Sequence, residues 1–283
     1  MKISRRSFLG AGGAVLGVSS RQRTWARSRL LKIGVTDWNL RLTGKVEAVA
    51  LASHLGFDGV QVSLGRKPIN GKLPLDDAGV QGELLSAVKA HKIPIDGTCL
   101  DILHVNFLKN DKLGQKWVAD SIPITKKLNA RVILLPFFGR GALVTQEEMD
   151  YVGDALREIA PDAEKAGVIL GLEDTISAED NVRIMERAKS PAVLTYYDVG
   201  NSTEGGFDVV KEIRWLGKDR ICQFHLKDNP HYLGEGKIEF PPILKAIEDL
   251  RFQGFANLET VAPSNDISDD LTKNLRYVRR LLG

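Results

Sequence analysis

Four short apolar runs in this 283-residue chain end on a carboxylate or an imidazole: Val168-Ile-Leu-Gly-Leu-Glu173, Leu194-Thr-Tyr-Tyr-Asp198, Ile221-Cys-Gln-Phe-His225 and Phe255-Ala-Asn-Leu-Glu259. Packing does not explain the recurrence, because burying an unpaired carboxylate costs several kcal/mol. A shared cation does. Three carboxylates and one imidazole make a hard, oxygen-rich set that suits Mn2+, Mg2+, Co2+ or Zn2+ and leaves positions for substrate oxygens. A structural zinc site would use cysteines. The chain has two, Cys99 and Cys222, on runs far apart in strand order, so no disulfide is expected.

The elements that must position these residues can be read from the alternation of β-rich and amphipathic text. Strand-like runs are Leu31–Val35, Gly59–Ser63, Ile93–Thr98, Arg131–Leu135, Val168–Leu172, Leu194–Tyr197, Ile221–His225 and Phe255–Leu258. Helical patterns follow each of them: Val46–Leu55, Val80–His91, Leu113–Leu128, Gln146–Ala166, Ala178–Ala188, Phe207–Leu216, Pro242–Leu250 and Ser268–Leu282. Thr145-Gln-Glu-Glu148 and Ser177-Ala-Glu-Asp180 have capping-box form, and Gly56 and Gly167 stand where a helix must turn back into a strand. Eight βα units spell a single-domain α/β fold, a (β/α)8 TIM barrel over 30–283. The competing doubly wound sheet lacks a G-x-G-x-x-G after its first strand.

A barrel places its site at the C-terminal ends of the strands, where the four residues fall. Strand alternation then turns Glu173, Gly171 and Ile169 inward and Leu172, Leu170 and Val168 toward the helices. The same rule groups Glu259 with Asn257, and His225 with Gln223 and Lys227. Asp37 and Trp38 after the first strand and His104 after the third belong to the rim, as candidate substrate contacts. His54 and His91 fall on helix surfaces, and Trp215 reads as helix packing. Phe137 and Phe138 are placed either to stack on a substrate ring or to close the barrel top.

The composition is 43% hydrophobic with a formal charge of +3, which gives no electrostatic footprint for a nucleic-acid partner. Residues 1–26 read as a targeting segment: Ser4-Arg-Arg-Ser-Phe-Leu9 resembles a twin-arginine export signal. The Gly/Ala-rich run Leu9–Val18 behind it is too short for a stable membrane anchor, and no cysteine follows it to carry a lipid. Export to the periplasm is the expectation.

Several fragments taken together resemble the xylose-isomerase-like barrel superfamily of ketose 3-epimerases, sugar-phosphate isomerases and epimerases, inosose dehydratases and endonuclease-IV-type enzymes. They are Gly56-Phe-Asp-Gly-Val60, Leu172-Glu-Asp174, Asp198-Val-Gly-Asn201, His225-Leu-Lys-Asp228, Gly234-Glu-Gly-Lys-Ile-Glu-Phe240 and Leu258-Glu-Thr260. The resemblance implies that Glu173, Asp198, His225 and Glu259 are metal ligands and that both glutamates also serve as an acid/base pair flanking a carbohydrate substrate. Proton abstraction α to a carbonyl through an enediolate would follow, with Lys227 placed to donate to the developing oxygen.

Three positions depart from the ketose-epimerase pattern: Gln61, Asn201 and His231, the last two standing at substrate-binding positions. An isomerase or epimerase on a keto-sugar is therefore expected, with a lyase or dehydratase on the same fold as the alternative. A multi-metal nuclease and a non-catalytic sugar-binding protein rank below them. The Gly234-Glu-Gly236 loop has the form of a phosphate cradle, although relatives acting on free sugars carry it too. Barrels of this kind often pair through their helical faces, which leaves a homo-oligomer open.

Overall fold

Eight parallel strands close on themselves in sequence order: β1 (Leu31–Thr36), β2 (Gly59–Ser63), β3 (Ile95–Cys99), β4 (Val132–Pro136), β5 (Ile169–Glu173), β6 (Val193–Asp198), β7 (Ile221–Leu226) and β8 (Gly254–Leu258). The ring shuts where β8 returns to β1, with Leu258 opposite Val35. This computed structural model describes residues 30–283, so the export-signal reading of 1–26 lies outside the described residues. Around the strands run α1 (Glu47–Leu55), α2 (Ala78–His91), α3 (Lys112–Lys127), α4 (Gln146–Ala166), α5 (Ala178–Ala188), α6 (Val199–Glu204), α7 (Val209–Leu216), α8 (Phe240–Asp249) and α9 (Ile267–Leu282). Among the described residues, no helix is long and apolar enough to cross a membrane.

The local signals act as their chemistry requires. Thr145 accepts from the Glu148 amide and Glu148 reaches back to the Thr145 amide, a complete capping box for α4. Ser177 accepts from the Asp180 amide but receives nothing in return. The Asp180 carboxylate, one methylene shorter than a glutamate, instead takes the Ser177 hydroxyl at 2.9 Å. Gly56 and Gly167 end α1 and α4 with φ of 90° and 71°, the left-handed turn that a side chain disfavours.

Alternation along the strands divides the core in two. Val168, Leu170 and Leu172 pack outward under the helices, each such side chain contributing about 1.5–3 kcal/mol of burial. Ile169 points into the lumen with Cys99, Val132, Leu134, Tyr196 and Cys222. The lumen is thus less polar than alternation from the four ligand-type residues predicts. Its polar part is a buried knot in which Asp96 Oδ1 accepts from Gln223 Nε2 (3.2 Å) and Asn257 Nδ2 (3.0 Å). Gly34 and Gly59 make room for it, since a Cβ on either would collide with Asp96 Oδ2.

Three further differences from the sequence reading have local causes. β3 starts at Ile95 rather than Ile93, because Pro94 has no amide to give the ladder and offers only its carbonyl, to Val60. The helix α6 has no apolar periodicity to announce it; Asp198 creates it by capping the Asn201 amide at 2.8 Å. Trp215 is 45% exposed instead of packed, with the Arg220 guanidinium 5.6 Å from its ring centroid.

Candidate active site

The ends of β5, β6 and β7 and the residue after β8 bring Glu173, Asp198, His225 and Glu259 together, with one ligand-type atom of each within 4.8 Å of the others. His225 Nδ1 lies 2.7 Å from Glu173 Oε1, 3.6 Å from Glu259 Oε2 and 3.7 Å from Asp198 Oδ2. The other ring nitrogen, Nε2, meets Gln61 Oε1 at 2.9 Å. That carbonyl also accepts from Tyr196 Oη (3.3 Å) and Asn257 Nδ2 (3.4 Å). With an acceptor at Nε2, the imidazole carries its proton there and turns the Nδ1 lone pair toward the three carboxylates, as a metal-ligating histidine does.

Gln61 is therefore the outer partner that sets the ring, a role strand position alone did not reveal. Gln61→Leu should weaken divalent-metal affinity by about 10–100-fold, with partial rescue by Gln61→Glu, as measured by calorimetric titration of the metal-stripped protein.

Lys227 closes the cluster. Its Nζ lies 2.9 Å from Asp198 Oδ2 and 2.8 Å from Glu259 Oε2, and its stem crosses Gly200 where a Cβ would collide with it. Trp38 Nε1 donates to Glu259 Oε1 at 3.1 Å, and its ring stands edge-on to His225. The electrostatics of the two glutamates diverge. Burial pushes the Glu173 carboxyl well up, and the Glu259 charge adds to that shift. Burial also opposes ionisation of Glu259, but the Lys227 ammonium and the hydrogen bond from Trp38 hold this carboxyl down. Asp198 is raised to about 7, chiefly by burial and against the pull of Lys227. Burial keeps His225 neutral by lowering its pKa.

These side chains fit a divalent cation. Asp198 uses Oδ1 to cap α6 and turns Oδ2, buried beside the Lys227 ammonium, into the cluster; the imidazole presents a nitrogen beside it, and the remaining ligand atoms are carboxylate oxygens.

A cavity of 410 Å3 opens over the cluster, lined by Glu173, Asn201, Lys227 and Glu259 on one side and by the loops after β1 to β4 on the other. Of the expected substrate contacts, Trp38, His104 and Asn201 line it, and the Asn201 amide nitrogen is buried with no partner. Asp37 does not line it. Its side chain is fully buried, with Oδ2 accepting from the Gly44 amide (2.7 Å) and the Ser63 amide (3.0 Å), so it anchors the β1 loop. His231 is exposed and borders a separate 360 Å3 cavity that meets the first only through Lys227.

The reason His231 turns away is Asp228. Its carboxylate accepts from the amides of Gly234 (3.1 Å), Gly236 (2.9 Å), Lys237 (3.0 Å) and Ile238 (3.3 Å), folding the loop after β7 around itself. The glycine-rich loop thus cradles an internal carboxylate, and the amides a phosphate would need are taken. Asp228→Ala should cost about 3 kcal/mol or more, because four N–H groups lose a charged acceptor. Urea unfolding measures it.

Residues missed by the sequence reading complete the far wall: Thr43, Ser63, Arg66 and Asp101. Asp101 follows β3 by two residues and accepts a short hydrogen bond from Ser63 Oγ, so the strand-end rule that found Glu173 would have found it too.

Comparison with known proteins places these features in a lineage. The chain is 26% identical over 203 residues to 2-epi-5-epi-valiolone 7-phosphate 2-epimerase of Actinoplanes sp., covering 70% of this chain and 73% of that protein. It is 24% identical over 231 residues to fructoselysine 3-epimerase of Shigella flexneri, covering 74% and 83% respectively. The solved structure of an L-ribulose 3-epimerase superimposes with a TM-score of 0.75 at 17% identity, over 89% of this chain and 94% of that one. Residues 49–281 match the sequence model of the xylose isomerase-like TIM barrels, and the chain belongs to that family.

Proposed function

We propose that the protein is a divalent-metal-dependent epimerase or isomerase of a keto-sugar, working by proton transfer at the carbon α to the carbonyl. One observation carries the reading: two glutamates from opposite sides of the cluster, on β5 and after β8, face one cavity together with Lys227, and Asp198 and His225 lie buried within ligand distance of them. A divalent cation held there supplies Lewis-acid polarisation of the carbonyl and acidifies the neighbouring C–H.

The chain's own groups do the rest. Glu259, ionised and steadied by Trp38 and Lys227, takes the proton from one face of the substrate. Glu173 returns a proton from the opposite face, giving the inverted centre. The Lys227 ammonium donates to the oxygen that gains charge in the enediolate. The unpartnered Asn201 amide meets a substrate hydroxyl, and Trp38 walls the site from water. Both curated relatives described above are named as epimerases, which supports this choice over the lyase reading. A lyase would share the first step but expel a leaving group instead of accepting a proton on the second face. A repair-type nuclease needs several metals. Among the described residues, one group of His, Cys, Asp and Glu has metal-holding spacing.

The N-terminal Ser4-Arg-Arg-Ser-Phe-Leu9 supports an exported, periplasmic enzyme. Changing both Arg5 and Arg6 to Lys should trap full-length precursor in the cytoplasm, read by fractionation and immunoblot; unaltered export would remove the twin-arginine assignment.

A further inference from the structure

All four ligand-type residues and Lys227 come from β5 to β8, yet the 410 Å3 cavity continues across the barrel mouth to the loops after β1 to β4. There it is lined by Thr43, Arg66, Asp101, His104 and Phe138, groups that the proton transfer leaves unused. Building on the keto-sugar reading, we propose that this half is a subsite for a neutral second sugar unit, so that the substrate is a keto-glycoside rather than a free or phosphorylated ketose.

The lining has the composition that a polyhydroxylated ring demands. Phe138 and His104 stack, ring centroids 6.3 Å apart and planes 28° from parallel, and present an aromatic surface to the cavity. Such a surface takes the C–H face of a pyranose. Around it stand a carboxylate, a guanidinium and a hydroxyl, from Asp101, Arg66 and Thr43. The guanidinium offers several donors in a plane and the carboxylate several acceptors, which matches hydroxyls on adjacent carbons. Arg66 is exposed and makes no ion pair among the described residues, so its donors face the open space.

Charge argues against an anion here. Arg66 and Asp101 cancel, and burial keeps His104 on the neutral side by lowering its pKa. A phosphate on Arg66 would share the wall with Asp101, at a cost of like-charge repulsion. The loop that would supply backbone amides to a phosphate has given them to Asp228.

The test compares three substrates in D2O with the metal-loaded enzyme: a free ketohexose, its phosphate ester, and a 3-keto-disaccharide. Wild type should favour the 3-keto-disaccharide over the free ketohexose by about tenfold or more in kcat/KM, the range in which pocket contacts discriminate. Phe138→Ala and Arg66→Ala should each shrink that ratio by about tenfold, and each should weaken binding of the unoxidised disaccharide measured by calorimetry. Equal use of the free sugar, preference for the phosphate ester, or a ratio that survives both changes would overturn the subsite. If no keto-sugar exchanges its α-hydrogen while the disaccharide still binds through Phe138, the proton-transfer reading fails and the subsite stands.

Discussion

Glu259→Gln and Glu173→Gln should each lower turnover of a keto-sugar by about 10²–10⁴-fold, the range typical of losing a general base or acid. Glutamine keeps an oxygen that can reach the cation but cannot accept the proton, so the loss belongs to chemistry rather than to metal binding. The two variants should differ in what they still exchange. With one base per face, the variant keeping the base for the substrate's face continues to wash solvent deuterium into the substrate. The other variant exchanges the product alone. The split environments support this division: burial pushes Glu173 well above the usual carboxylate range, whereas the Lys227 ammonium and the Trp38 hydrogen bond hold Glu259 down against the effect of burial. Near wild-type exchange in both variants, with metal retained, would mean that the glutamates are not the pair.

The second large effect concerns the cation. His225→Ala should abolish stoichiometric metal, because it removes the one neutral ligand and leaves three carboxylates repelling one another around Lys227. Asp198→Ala should do the same but also uncaps α6, so Asp198→Asn, which retains an oxygen for the Asn201 amide, separates the two roles. Elemental analysis after gel filtration reads the outcome. Chelation should lower the wild-type melting temperature as well, since a ligand held at about 100 times its Kd contributes about 2.7 kcal/mol.

Uptake of the cation should weaken as the pH falls through neutrality. The bound form needs Asp198 ionised, and burial has raised its pKa to about 7. Protons therefore compete with the cation, and they compete better at lower pH.

The ligand-type residues were legible because each sits on or beside the end of a strand that the apolar text announces, and a barrel sends all such ends to one mouth. Direction was harder. Asp37 occupies a strand-end position too, but its carboxylate turns back to the amides of Gly44 and Ser63, an interaction that depends on how the β1 loop lies over β2. His231 was misplaced for a related reason: the loop that carries it is folded by Asp228 reaching amides 6 to 10 residues ahead. Nothing periodic marks that fold in the sequence. Gln61 looked like a departure at a strand end and proved to be the group that sets the His225 tautomer, a contact between β2 and β7 that only barrel closure creates. The helix α6 escaped because a single cap, not an amphipathic pattern, makes it.

Proton transfer α to a carbonyl should depend on the cation that the four residues would hold. The most direct measurement is NMR of keto-sugars and 3-keto-glycosides incubated in D2O with the metal-loaded enzyme, the chelated enzyme and His225→Ala. Deuterium should appear at the carbon α to the carbonyl, with an epimeric or isomeric product, in the metal-loaded sample alone. Exchange that survives chelation and His225→Ala, no exchange with any substrate, or a product that has lost water would contradict it.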